Sequence, residues 1–184
     1  PVTHKEIEDI LNTFSSTFGV YASMGNHEYI GGQVEDIEKF LNKANIKVLR
    51  DEAIKIQDSF YIIGREDKAS ERFTGISRKD LFSIMEDVDR RYPIFMMDHQ
   101  PIDITEAINE KVDLQVSGHT HKGQMLPFRF FTKRIYDVDW GKYSEIGYNL
   151  IVTSGVGTWG PPIRVGTKSE IVLINVNFTR NTPN

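Results

Sequence analysis

Three short apolar runs, each stopped by a polar segment that carries histidine, set the frame for this chain. Val20-Tyr21-Ala22-Ser23-Met24 ends in Gly25-Asn26-His27-Glu28. Ile94-Phe95-Met96-Met97 ends in Asp98-His99-Gln100-Pro101, and Leu114-Gln115-Val116 ends in Ser117-Gly118-His119-Thr120-His121. Apolar runs this short, bounded by turn formers, read as buried strands. Between the first two, Val34, Ile37, Phe40 and Leu41 recur at helical spacing over residues 33–44, and further helices are predicted near 79–87 and 104–110. Strands alternating with helices give an α/β layered fold, whose ligand crevice lies beyond the C-terminal strand ends. The histidines stand at that edge.

The rest of the pattern fills in around this frame. Thr3 and Glu6 make a capping box ahead of Ile7, Ile10, Leu11 and Phe14, with Gly19 as the expected stop of that helix. Residues 53–57 and 60–64 read as a hairpin about Asp58-Ser59. The last third reads as strands, clearest at 149–153 and 170–177, with Gly155, Gly157, Gly160, Pro161 and Pro162 between them.

Composition narrows the chemistry. A chain of 184 residues, 39% hydrophobic and 26% charged, suits one domain with its own core and is not a disordered chain. A net charge of −4 argues against a general nucleic-acid binder. No run approaches the roughly 18 apolar residues of a membrane span, and no signal peptide opens the chain. This piece is expected to be soluble, and a full-length protein either cytoplasmic or membrane-anchored. With no Cys there is no disulfide, no thiolate nucleophile and no zinc-thiolate site. A metal must therefore be held by imidazole, carboxylate, amide or water. Four of the five histidines follow strand ends; His4, in the first turn of an exposed helix, is read as surface.

Imidazoles grouped with an amide oxygen suit Mn, Fe, Zn, Co or Ni better than Mg. Two such ions about 3.5–4 Å apart lower the pKa of a bridging water and stabilise an in-line phosphoryl displacement. A histidine not bound to metal can protonate the leaving oxygen. In an extended segment His119 and His121 point to one face, where both reach one metal centre or two adjacent ones.

The three motifs, in this order, resemble the calcineurin-like metallophosphoesterase superfamily, whose domain is a layered αββα sandwich. The tail Gly155-Val156-Gly157-Thr158-Trp159-Gly160-Pro161-Pro162-Ile163-Arg164 is similar to the ending of the YkuE/YaeI-like bacterial phosphoesterases. The resemblance runs from about 18 to 178. It implies hydrolysis of a phosphodiester or phosphomonoester by metal-activated hydroxide. Asn26, His99 and His119 resemble the ligands of the second metal, His121 a ligand of the first, and His27 the catalytic histidine. Glu28 or Asp98 is expected to orient an imidazole. Arg164 either reaches a substrate phosphate or pairs with Glu170.

The family pattern opens with an Asp-x-His and a Gly-Asp-x-x-Asp, and neither occurs here. Residues 1–184 are therefore read as one domain portion, the C-terminal part of such a domain without its N-terminal strands. The intact protein would hold two divalent ions and this chain at most one, with little or no activity of its own. Sheet edges left open would favour self-association. The rival reading, a non-catalytic binding or scaffold module of the same fold, has no need of His27, His99, His119 and His121. Amidohydrolases also use His-x-His, but on the first strand of a barrel, whereas here it follows several helix–strand units. Finally, the basic-aromatic segment 127–134 is read as a loop whose aromatics pack on the second sheet, or as a lip that touches a membrane surface.

Overall fold

The structure is a computed structural model that describes residues 4–145 and 147–178. The Thr3 half of the expected capping box and the His4 side chain lie outside the described residues. In chain order the elements are α1 (His4–Leu11), β1 (Val20–Ala22), α2 (Asn26–Ile30), α3 (Val34–Lys43), β2 (Ile46–Val48), β3 (Glu52–Ile56), β4 (Phe60–Gly64), α4 (Ala69–Thr74) and α5 (Leu81–Ile84). They continue with β5 (Ile94–Met97), α6 (Ile104–Asn109), β6 (Leu114–Ser117), a 3₁₀ turn (His121–Gly123), α7 (Arg129–Ile135), β7 (Gly141–Glu145) and β8 (Tyr148–Val152).

Six strands form a mixed sheet in the order β3-β4-β5-β6-β8-β7. The inner strands β4, β5, β6 and β8 run parallel, and β3 and β7 close the two edges antiparallel. Parallel strands bring their C-terminal tips to one edge, so the segments after Gly64, Met97, Ser117 and Val152 meet there. β1 and β2 make a separate two-stranded parallel sheet. The α/β architecture expected from the alternation is thus the one observed.

Strand alternation decides which face is sealed. Ile63, Ile94, Met96 and Leu150 point to one side, where Leu81 and Ile84 of α5 and Ala107 of α6 cover them. Gln115 also points inward, and its side chain is satisfied by Tyr148 Oη (2.6 Å) and Ser117 Oγ (3.1 Å). A smaller core of Met24, Tyr29, Val34 and Val48 ties the β1–β2 sheet to α2 and α3. The hairpin forms as expected but its turn sits one residue earlier than Asp58-Ser59: Ile56 pairs with Phe60 across residues 57–59, with Gln57 and Asp58 at φ +43° and +51°.

Several elements depart from expectation. α1 ends at Leu11 rather than running to Gly19, because Thr13 Oγ1 turns back onto the Ile10 carbonyl (2.7 Å) and two serines follow. α2 starts inside a motif read as a loop. α5 is shorter than predicted: Asp80 caps it by accepting from the Ser83 N–H (2.8 Å), and Met85 already ends it. Residues 170–177 form no strand; Ile171 and Leu173 are 87% and 86% exposed. The segment pairs with neither edge strand, β3 or β7, and lies over the open face of the large sheet. Ile174 and Val176 line a groove there with Phe95, Leu114 and Ile151, and Phe178 stacks on Phe60 and Phe95.

Candidate metal centre

The motif strands deliver three donor atoms to one point. Asn26 opens α2, His99 follows β5 and His119 follows β6. His99 Nε2 lies 3.0 Å from Asn26 Oδ1, His119 Nδ1 lies 3.1 Å from the same oxygen, and the two ring nitrogens are 3.2 Å apart. For metal–donor distances of about 2.1 Å, adjacent octahedral donors lie ~3.0 Å apart and tetrahedral donors ~3.4 Å. The triangle therefore has the dimensions of one face of a metal's coordination shell. With the ring protons on the opposite nitrogens, all three atoms offer lone pairs to the same point. Among the described residues no group of three or more His, Asp or Glu side chains converges. The donor set is two imidazoles and an amide oxygen, and those donors fit a borderline divalent cation.

Local structure holds the set in place. A β-carbon on Gly25 would stand 2.9 Å from the His99 ring, so only glycine lets that ring lie against the start of α2. Glu28 accepts the Gly25 N–H (2.8 Å), which fixes the first turn of α2 and with it Asn26 and His27. Gly25→Ala is expected to push the His99 ring out of the triangle. Titration calorimetry with Mn²⁺ should show an affinity at least tenfold weaker, while Tm changes little because the ring rather than the backbone yields.

The environment keeps these imidazoles neutral. Burial, then the neighbouring His99, holds His119 down to about 4. Burial also lowers His99, and burial followed by Arg164 lowers His121. Neutral rings are the form that binds metal.

His119 and His121 do not share an extended face. Both have positive φ, +64° and +48°, Thr120 between them is right-handed, and the 3₁₀ turn begins at His121. The turn parts the rings: His119 enters the triangle, and His121 sits near Gly155 with Nδ1 3.4 Å from Arg164 Nη2. His27 is exposed on the first turn of α2.

The remaining expected residues have other partners. Asp98 is 2% exposed and meets Arg78 Nη1 (3.0 Å) rather than an imidazole; burial pushes it up to about 6 against the pull of that guanidinium. Arg164 does not pair with Glu170. Its Nη2 donates to the carbonyl oxygens of Ser154 (2.8 Å), Gly155 (3.1 Å) and Gly157, bracing the loop behind His121. Glu170 instead accepts from the Ser154 N–H (2.7 Å) and Trp140 Nε1 (2.8 Å).

Two neighbours were missed in the sequence. Asp67, at the tip of β4, is fully buried and accepts from Gln100 Nε2 (2.9 and 3.0 Å), the residue after His99. Its charge acts on His99 and His119. The signal is positional: Asp67 lies three residues beyond Gly64, the end of β4, an inner parallel strand whose tip carries no histidine. Tyr136 stands edge-on to His119, ring centres 5.9 Å apart, just beyond the 127–134 segment.

A sequence profile of the calcineurin-like phosphoesterases matches residues 2–123. An uncharacterized metallophosphoesterase of Aquifex aeolicus is 33% identical over 177 residues, which is 95% of this chain and 67% of that protein. A zebrafish transmembrane protein with a metallophosphoesterase domain is 27% identical, over 89% of this chain and 40% of its own. The uncharacterized metallophosphoesterase YkuE of Bacillus subtilis is 25% identical, over 96% and 62%. The chain thus spans two thirds or less of these relatives, which include bacterial and animal proteins alike. No solved structure matches it.

Proposed function

The chain belongs to the calcineurin-like phosphoesterase family, and from that premise we propose that it supplies one metal site and the general acid of a metal-dependent phosphoester hydrolase. The observation that carries this is the 3.0–3.2 Å triangle of Asn26 Oδ1, His99 Nε2 and His119 Nδ1. A divalent cation held there supplies Lewis acidity toward a phosphoryl oxygen and a lowered water pKa. His27, exposed beside Asn26, hands its proton to the leaving oxygen as the P–O bond breaks. His121, braced by Arg164, stands ready as a ligand of a second ion. No carboxylate joins these donors among the described residues. The carboxylate ligands of that second ion are therefore proposed to come from outside this chain, and the chain alone to turn over little or no substrate. For a longer parent protein the proposal includes a membrane tether, as the zebrafish relative's name describes for that protein. Among the described residues no helix is long and apolar enough to cross a membrane.

Titrating the chain with Mn²⁺ tests this reading. One ion per chain is expected, with binding at least tenfold weaker in His119→Ala. Absence of saturable binding would move the scaffold reading ahead. Hydrolysis of bis(p-nitrophenyl) phosphate by the chain alone, at the rate of intact relatives, would show that no outside carboxylates are needed.

A further inference from the structure

Two segments beside the histidines, 124–136 and 155–169, are stitched together and hold large apolar side chains outward. Gln124 Nε2 donates to the Trp159 carbonyl (2.8 Å), and its Oε1 accepts the Trp159 N–H (2.8 Å). The Leu126 N–H donates to the Val165 carbonyl (3.2 Å), and the Val165 N–H to the Gln124 carbonyl (2.9 Å). On this joined surface Leu126, Phe130, Phe131, Ile135, Trp159 and Ile163 are all exposed, Phe130 and Ile135 to 70%. The expectation that these aromatics pack on the second sheet is therefore not met; α7 buries none of its residues.

Charge identifies what such a surface meets. The two segments contain Arg129, Lys133, Arg134, Arg164 and Lys168 and no Asp or Glu, in a chain whose net charge is −4. Arg164 is turned inward onto carbonyl oxygens. No ion pair engages Lys133, Arg134 or Lys168 among the described residues. Exposed aromatics interleaved with unpaired cations suit the boundary between lipid headgroups and acyl chains. A chain with a negative net charge gathers cations here against its own overall field, which fits an anionic surface. Tyr136, which ends α7, stands against the His119 ring, so this surface borders the mouth of the candidate metal centre.

We propose that the face formed by α7 and the 155–169 loop docks on an anionic lipid bilayer, with Phe130, Phe131 and Trp159 in the interface and Lys133 and Arg134 against the headgroups. This docking depends on neither metal nor turnover. Co-sedimentation with phosphatidylcholine vesicles and with equimolar phosphatidylcholine–phosphatidylglycerol vesicles tests it. Binding to the mixed vesicles is expected to be at least 30-fold tighter and to weaken steeply in 0.5 M salt. Lys133→Gln/Arg134→Gln should cost about 30-fold on mixed vesicles, and Phe130→Ser/Phe131→Ser at least tenfold. Circular dichroism checks that the serine variant folds; if it does not, the charge variant decides alone. Equal binding to both vesicle types, or indifference to the charge variant, overturns the proposal. So does a vesicle-free dimer that Phe130→Ser/Phe131→Ser dissociates, because the face would then join two copies of the chain.

Discussion

Arg78→Met is expected to lower the unfolding free energy by about 3–5 kcal/mol, the usual cost of leaving a buried ion unpaired. Arg78 enters from an irregular segment and spans two carboxylates: Nη1 meets Asp98 at 3.0 Å and Nη2 meets Asp103 at 3.3 Å. The Arg78 and Asp98 side chains are only 8% and 2% exposed, so water does not replace the guanidinium when it is removed. One Asp98 oxygen already lacks a partner among the described residues, and the variant would strand the other. The segment around Arg78 is otherwise well anchored. The Lys79 N–H donates to Asp51 (2.7 Å), the Lys79 carbonyl accepts from Arg65 (3.0 Å), and the Leu81 N–H donates to Glu106 (2.6 Å). The loss should therefore fall on the Asp98 pair and not on a general loosening. Urea denaturation measures it. The double variant Arg78→Met/Asp98→Asn should recover most of the stability, since an amide carries no charge to desolvate. Failure of the double variant to recover would mean that Arg78 acts through packing instead.

The pair also explains what could and could not be read in the sequence. Asp98-His99 stood out because a strand ended there, and the strand tips did converge as the α/β pattern required. The strand pattern puts His99 and His119 at one sheet edge, but the grouping of Asn26 with them comes only from the family resemblance, since Asn26 follows β1 of the separate small sheet. The partner of Asp98 could not be named, since Arg78 lies in a stretch with no periodicity and reaches its carboxylate only through the tertiary fold. The His119-Thr120-His121 geometry was misjudged for a related reason. Side chains two apart share a face only in extended backbone, and here His119 and His121 are left-handed with Thr120 in the right-handed helical region between them. β7 stayed hidden because Gly141-Lys142-Tyr143-Ser144-Glu145 carries no apolar alternation; it is held by its hairpin partner β8. Residues 170–177 have strong strand propensity and no strand, since they pair with neither β3 nor β7 and propensity alone makes no ladder.

Gly123→Ala is expected to cost about 2–5 kcal/mol and to disorder the metal-binding motif at the same time. Gly123 closes the 3₁₀ turn after His121 at φ +74°, where an L side chain pays about 1–2 kcal/mol in strain. A β-carbon there would also stand 2.4 Å from the Arg129 N and Cα atoms and 2.9 Å from the Phe128 carbonyl carbon. These are backbone atoms at the start of α7, so no side chain can swing aside. Either α7 or the turn must shift, an overpacking cost of about 1–3 kcal/mol in addition to the strain. Moving the turn drags His119 and His121, whose left-handed conformations are tolerated only while the surrounding hydrogen bonds fix them. The contrast with Gly25→Ala separates the two glycines. At Gly25 the obstacle is one imidazole ring, so metal affinity should fall while Tm holds. At Gly123 the obstacle is main chain, so Tm and Mn²⁺ affinity should fall together. If Gly123→Ala instead melts within a degree or two of the parent, α7 is held far more loosely than its approach to Gly123 implies. The lipid-docking face would then be a helix free to rearrange and not a fixed platform beside the histidines.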